Sequence, residues 1–225
     1  MKTEIFGIKF DDLTIEEALE KIRGFVVLPY SEFVVRAQKD EEFRNILNKA
    51  DFCLCESRGL YLLARLLGKK LKEEVNGVEL IYKLNQESRI KNQRIFLFGG
   101  KTGVAEKVRE KLGKGVIGVE NGYQNFDKVI EKINIAKPEI LLVGIGSPKQ
   151  EKFIYENLSK MPSVKLAIGV GGAFDFISGR IKRSPVFFQK IGLEWVWRLA
   201  IQPRRVGRVF KGVGGLIWLT FKNML

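Results

Sequence analysis

Two short apolar runs constrain this chain more than any other feature. Residues 140–143 (ILLV) and 166–170 (LAIGV) are aliphatic, and each leads into a glycine-bearing turn. Such runs read as strands buried on both faces, which occur in parallel sheets covered by helices on either side. Between them, residues 148–158 are amphipathic. Pro148 suits a first helical turn, where its missing N–H costs nothing. Strand, helix, strand at this spacing predicts a right-handed βαβ unit.

The turns after the two runs are Gly144-Ile145-Gly146-Ser147-Pro148 and Gly169-Val170-Gly171-Gly172-Ala173. Glycine lets backbone N–H groups come close to a ligand, and a helix N-terminus favours an anion. Ligands of open α/β sheets lie outside the carboxyl ends of the strands. Gln150, Glu151, Lys152 and Asp175 are therefore expected to line one crevice. Neither turn is G-x-G-x-x-G or G-x-x-x-x-G-K-[ST], which removes the usual dinucleotide and P-loop readings. The plainer alternative is that these glycines only make tight turns.

The rest of the chain fits the same class. Residues 4–10 read as one strand. Thr14 and Glu17 form a capping box that opens a helix ending near Gly24. Strands are expected over 25–28, 52–55, 94–98 and 115–119, and helices over 31–47, 60–67, 78–89, 104–112 and 126–136. Gly99-Gly100-Lys101-Thr102-Gly103 is a further strand-to-helix turn. The predicted fold is α/β, a Rossmann-like, mostly parallel sheet flanked by helices, with a core over 1–190. Residues 191–225 form a small helical appendage, expected to break at Gly192, Pro203 and 212–215.

Composition excludes several chemistries. There is no histidine in the 225 residues, which removes Ser/His and Cys/His nucleophiles and histidine-bound zinc. A general base must be a carboxylate or, failing that, Lys, Tyr or Cys. Cys53 and Cys55 lie too close in sequence for a usual bridge and lack metal spacing, so they read as buried thiols of a reduced protein. The start, MKTEIFGIKFDDLT, does not read as a signal peptide, and no apolar run approaches the ~20 residues that span a bilayer.

The net charge of +13 is uneven. From Arg180 onward ten basic residues face one acid, Glu194. Interleaved with them are Trp195, Trp197, Phe210, Trp218 and Phe221. Segments of this make lie in a membrane interface, with rings at headgroup depth and cations on anionic lipid. The rings could instead pack on the core or on a second copy of the chain. Single-stranded nucleic acid suits aromatics and arginine too, but the apolar content of 212–221 exceeds what stacking needs.

GIGSPKQEKFI, GVGGAFDFISGRIKRSP and FQKIGLEWVWRL-x-x-x-PRR-x-x-R, in that order, resemble the WecG/TagA/CpsF glycosyltransferases. The resemblance is strong over 94–208 and weaker before residue 84. It implies a Rossmann-like core and an appendage that docks on the cytoplasmic membrane face. It also implies inverting, metal-free transfer of a sugar of the N-acetylmannosamine type. The donor would be a UDP-sugar and the acceptor a polyprenyl-diphosphate-linked sugar, in teichoic acid or similar cell-surface polysaccharide synthesis. No cofactor is implied. Gly99, Gly100, Gly146, Gln150, Gly171, Gly172 and Asp175 would hold the UDP-sugar, with Gln150 also the family's active-site glutamine. Arg198, Arg205 and Arg208 match appendage arginines that would meet the lipid diphosphate and membrane, where guanidinium forks fit phosphate oxygens.

Three positions depart from the family pattern. The family's Pro-Asp-Gly, whose aspartate is the proposed base, is matched by Cys55-Glu56-Ser57-Arg58-Gly59, so Glu56 is the candidate base. Its Thr-Pro-Asn is Leu28-Pro29-Tyr30 here, and an arginine before the Gly77 turn is Glu74. Because a base misplaced by ~1 Å can cost about a hundredfold in rate, three outcomes follow: an altered sugar pair, a shifted base, or a catalytically impaired relative that binds UDP-sugar or lipid diphosphate as a scaffold.

Overall fold

The computed structural model describes residues 2–185, 187, 188, 194–202 and 206–224. The chain opens with a hairpin, not the single strand expected over 4–10. β1 (Lys2–Ile5) and β2 (Ile8–Asp11) pair antiparallel. Phe6 and Gly7 turn the chain at φ 50° and 76°, and Phe6 masks the turn because positive φ is uncommon without glycine. α1 (Ile15–Lys21) carries the expected capping box: Glu17 N donates to Thr14 Oγ1, and Thr14 N to Glu17 Oε2.

After β3 (Gly24–Val27) come two helices where the period reads as one. α2 (Ser31–Ala37) and α3 (Glu41–Lys49) part at Asp40, whose carboxylate accepts from Phe43 N and caps α3. Phe33, Val34 and Ala37 on α2 and Phe43, Ile46 and Leu47 on α3 are all buried, which is why the apolar pattern runs through the break.

The remaining elements follow in the expected order, with β4 shorter than the expected 52–55: β4 (Phe52–Cys53), α4 (Arg58–Leu66), α5 (Gly77–Ile90), β5 (Ile95–Gly99), α6 (Val104–Leu112), β6 (Val116–Glu120), α7 (Phe126–Ala136), β7 (Ile140–Gly144), α8 (Lys149–Asn157), β8 (Leu166–Gly169) and α9 (Ala173–Ile177). β3 to β8 form one parallel sheet in the order β4-β3-β8-β7-β5-β6. The last two strands of the chain are thus the central pair. Their side chains alternate between two cores. Leu141, Val143 and Ala167 join the side covered by α2, α3, α4, α7 and α8; Ile140, Leu142, Leu166 and Ile168 join the side of α1, α5, α6 and α9. Burial on both faces explains why these strands read as unbroken apolar runs.

In the tail, α10 (Glu194–Ile201) is followed by α11 (Val206–Met224). α11 runs straight through 212–215, where a break was expected. An added Cβ on Gly212 would come within 3.4 Å of the Glu32 backbone, and one on Gly215 within 2.9 Å of Val35. These glycines are the surface by which α11 packs on α2, and Leu216 and Leu219 beside them join the core. The breaks expected at Gly192 and Pro203 lie outside the described residues. Among the described residues, no helix is long and apolar enough to cross a membrane.

Candidate functional site

β5, β7 and β8 lie side by side, and their three glycine turns are tied to one another. Gly99 pairs in register with Gly144 at φ +141°, and a Cβ there would sit 2.4 Å from the Gly144 carbonyl. Only glycine permits that approach. Gly100 N then donates to Gly144 O at 2.9 Å.

The link to the third turn is Gln150, at the start of α8. Its Oε1 accepts from Gly146 N at 3.2 Å and from Gly171 N at 3.0 Å. Its Nε2 donates to Glu151 Oε1 at 2.6 Å. Gln150 is 1% exposed and Glu151 0%. Gly169 makes room for both, since a Cβ there would lie 2.8 Å from Gln150 Nε2 and 3.0 Å from Glu151 Oε1. Burial pushes the Glu151 carboxyl up to about 7, against the opposing effect of the Gln150 hydrogen bond. The Ser147 hydroxyl also bears on this carboxyl, but Ser147 Oγ and Glu151 Oε2 are buried without a hydrogen bond of good geometry.

This corrects the expected crevice lining at two positions. Glu151 lies beneath the turns, and Lys152 faces away to pair with Glu42 on α3. Successive helical residues point about 100° apart, so three in a row cannot line one wall. Gly172 is exposed just before α9, and the Asp175 carboxylate on α9 is 2.6 Å from Arg180 Nη1.

Glu56 belongs to a second group. Its N–H donates to Pro29 O at 3.0 Å, which sets it just past the end of β4 beside the end of β3. Its side chain rests on the start of α5: a Cβ on Gly77 would be 2.5 Å from Glu56 Oε1 and 3.3 Å from Leu28 Cδ1. Glu56, Leu28 and Gly77 therefore meet at one point. β4 is two strands from β8, so this group stands roughly 10 Å along the same sheet edge from the glycine turns.

Arg58 had no role in the sequence reading. It opens α4, its Nη1 is 4.0 Å from Glu74 Oε1, and its guanidinium lies 5.1 Å over the Tyr61 ring. The only sequence signal is opposite charge on two distant segments, which is too common on surfaces to single out a pair. Burial pushes the neighbouring Cys55 thiol up to about 12, so it is held as the inert thiol. A cavity of about 560 Å³ lined by Tyr61, Arg65, Lys69 and Lys70 runs along α4 to the loop after it.

In the tail, Trp197 Nε1 donates to Lys182 O at 3.2 Å and ties α10 to the core. α11 is two-sided: Leu216 and Leu219 are buried, while Phe210, Trp218 and Phe221 are each at least 61% exposed. Leu66 on the adjoining α4 is exposed as well. Arg205 lies outside the described residues, as do the side chains of Arg198 and Arg208. Among the described residues, no three His, Cys, Asp or Glu side chains gather closely enough to hold a metal.

The glycine turns stand at the carboxyl ends of central parallel strands, the edge along which Rossmann-like α/β proteins hold their ligands. The profile of the glycosyl transferase WecG/TagA/CpsF family matches residues 3–225, and the chain belongs to that family. The N-acetylglucosaminyldiphosphoundecaprenol N-acetyl-beta-D-mannosaminyltransferase of Bacillus spizizenii is 31% identical over 198 residues, covering 85% of this chain and 77% of that protein. The protein of the same name from Staphylococcus aureus is 27% identical over 224 residues, covering 92% of this chain and 88% of its own.

Proposed function

We propose that this chain is an inverting, metal-independent hexosyltransferase. It moves an N-acetylmannosamine-type sugar from a UDP-sugar to a polyprenyl-diphosphate-linked N-acetylglucosamine, in teichoic acid-like polysaccharide synthesis. The acceptor is part of the named activity of both relatives. The observation that carries the donor half of the reading is the Gln150 clamp, which joins the Gly146 and Gly171 turns at the edge where such sheets hold nucleotides. Gly99, Gly100 and Gly172 complete the walls, and Asp175, oriented by Arg180, takes the ribose hydroxyls.

In this reading Glu56 removes the proton from the acceptor hydroxyl. The acceptor oxygen forms its bond to the anomeric carbon on the face opposite the diphosphate. The bond from that carbon to the diphosphate oxygen breaks, and UDP leaves with the electron pair. Arg198, Arg205 and Arg208 neutralise the charge that develops. Residues 1–190 act as the core and 191–225 as an appendage docked on the inner face of the bacterial cell membrane. The outward rings of α11 support that placement.

A second reading is a catalytically impaired scaffold that binds UDP-sugar or lipid diphosphate. It draws on Glu74, an acid in the place of the family's arginine, with Arg58 already its partner. UDP release from UDP-N-acetylmannosamine separates the two, measured with a short-chain polyprenyl-diphosphate-N-acetylglucosamine and a chelator present. Transfer predicts release that depends on the acceptor and a product of opposite anomeric configuration. UDP binding without release supports the scaffold and refutes the transferase.

A further inference from the structure

Gln150 spends its amide within the protein. Its carbonyl serves two backbone donors on different turns, and its NH2 serves Glu151. The orientation of that amide decides whether the turns are held, because a reversed amide would set NH2 against two N–H groups. Glu151 decides the orientation. An ionised carboxylate can only accept, so the NH2 must face it and the carbonyl must face the turns. A protonated carboxyl can donate, and Gln150 is then able to present its carbonyl to the acid and let Gly146 and Gly171 go.

We propose that Glu151 is a positioning residue of this site: its buried carboxylate orients the Gln150 amide and through it holds the Gly146 and Gly171 turns together around the nucleotide diphosphate. This role rests on the transferase reading above. A residue kept only for stability is a poor account of Glu151. It is a fully buried acid with one oxygen lacking a good hydrogen bond, packed against a glycine that leaves no space for a Cβ. Burying such a group is costly unless it is fully paired.

The surroundings make the carboxyl the group that titrates. β3, β7 and β8 beside α8 carry no charged residue. α3 meets α8 through Lys152–Glu42 and through Lys49 Nζ on Tyr155 Oη, both on the solvent side. Arg36 on α2 is the charged group whose field reaches Glu151, and it favours the ionised form. The carboxyl's midpoint, raised by burial to about 7, leaves the orientation of the clamp enforced above that pH and free to reverse below it.

The test uses the full chain labelled with ¹⁵N-glutamine, without ligand. The Gln150 side-chain amide signals, identified by their loss in Gln150→Leu, are expected to shift with a midpoint near 7 in the wild type and not in Glu151→Gln. UDP affinity is then compared between the two proteins across pH, as a ratio in which titration of UDP itself cancels. At pH 8 Glu151→Gln should bind UDP roughly tenfold more weakly, the proteins should converge at pH 6, and the variant should melt no lower than the wild type at pH 8. An amide that does not titrate, equal UDP affinity at pH 8, or a variant that melts lower there overturns the role. Failure of the wild type to bind UDP removes the transferase reading instead, and the ligand-free amide titration then shows by itself whether the clamp exists.

Discussion

The two parts of the candidate site are built in different ways. At β5, β7 and β8 the site is backbone. Glycines pack against one another at 2.4 Å from a missing Cβ, and one buried glutamine ties the turns. At β3 and β4 the site is side chain. Glu56 and Leu28 lean on Gly77, and Arg58 at the start of α4 pairs loosely with Glu74 on the loop before α5. A backbone site cannot change without losing its shape. A side-chain site can exchange charges and lengths while the strands beneath it stay put. This difference is a physical reason to expect departures from the family's pattern at Leu28, Glu56 and Glu74 sooner than at the glycine turns.

The division predicts that substitutions at the two ends fail differently. Glu56→Gln should lower the rate of acceptor-dependent UDP release by about 10²–10⁴-fold, the usual share of a general base. Gly99→Ala should instead cost stability, on the order of 2–5 kcal/mol by urea unfolding, from backbone strain at positive φ and collision with Gly144. Glu151 links that end to pH. Its folded-state midpoint is raised from 4.5 to about 7, so its contribution to stability is whole below 4.5 and is lost as pH rises through 7. The loss is on the order of 3 kcal/mol, and Glu151→Gln should remove that part of the pH dependence of unfolding. Gln150→Ala gives up the two hydrogen bonds that join the turns, and UDP affinity should fall roughly 10- to 100-fold by calorimetry. Arg58→Ala should be the mildest. A half-exposed pair at 4.0 Å is worth at most about 1 kcal/mol to stability, so melting should barely move.

The same division explains what could be read from the chain. The parallel sheet, the capping box at Thr14 and the three glycine turns follow from strand length, glycine position and charge spacing, which are local. The hairpin at Phe6 was hidden because its positive φ falls on a non-glycine residue. The break at Asp40 was hidden because α2 and α3 bury the same apolar face. Glycines at 212–215 read as a helix end, but their meaning depends on α2 lying against them, which is a tertiary fact. The Glu151 side chain is likewise beneath the turns because of where the α8 face points against β8, and the Arg58–Glu74 pair exists only once the start of α4 meets the loop before α5.

The most direct test of the division is UDP affinity measured by calorimetry for Glu56→Gln and Gln150→Ala beside the wild type. Independent ends predict that Glu56→Gln binds UDP as the wild type does while Gln150→Ala binds far more weakly. Equal weakening in both variants would contradict the account, because Glu56 would then belong to the nucleotide end of the crevice and not to the acceptor end.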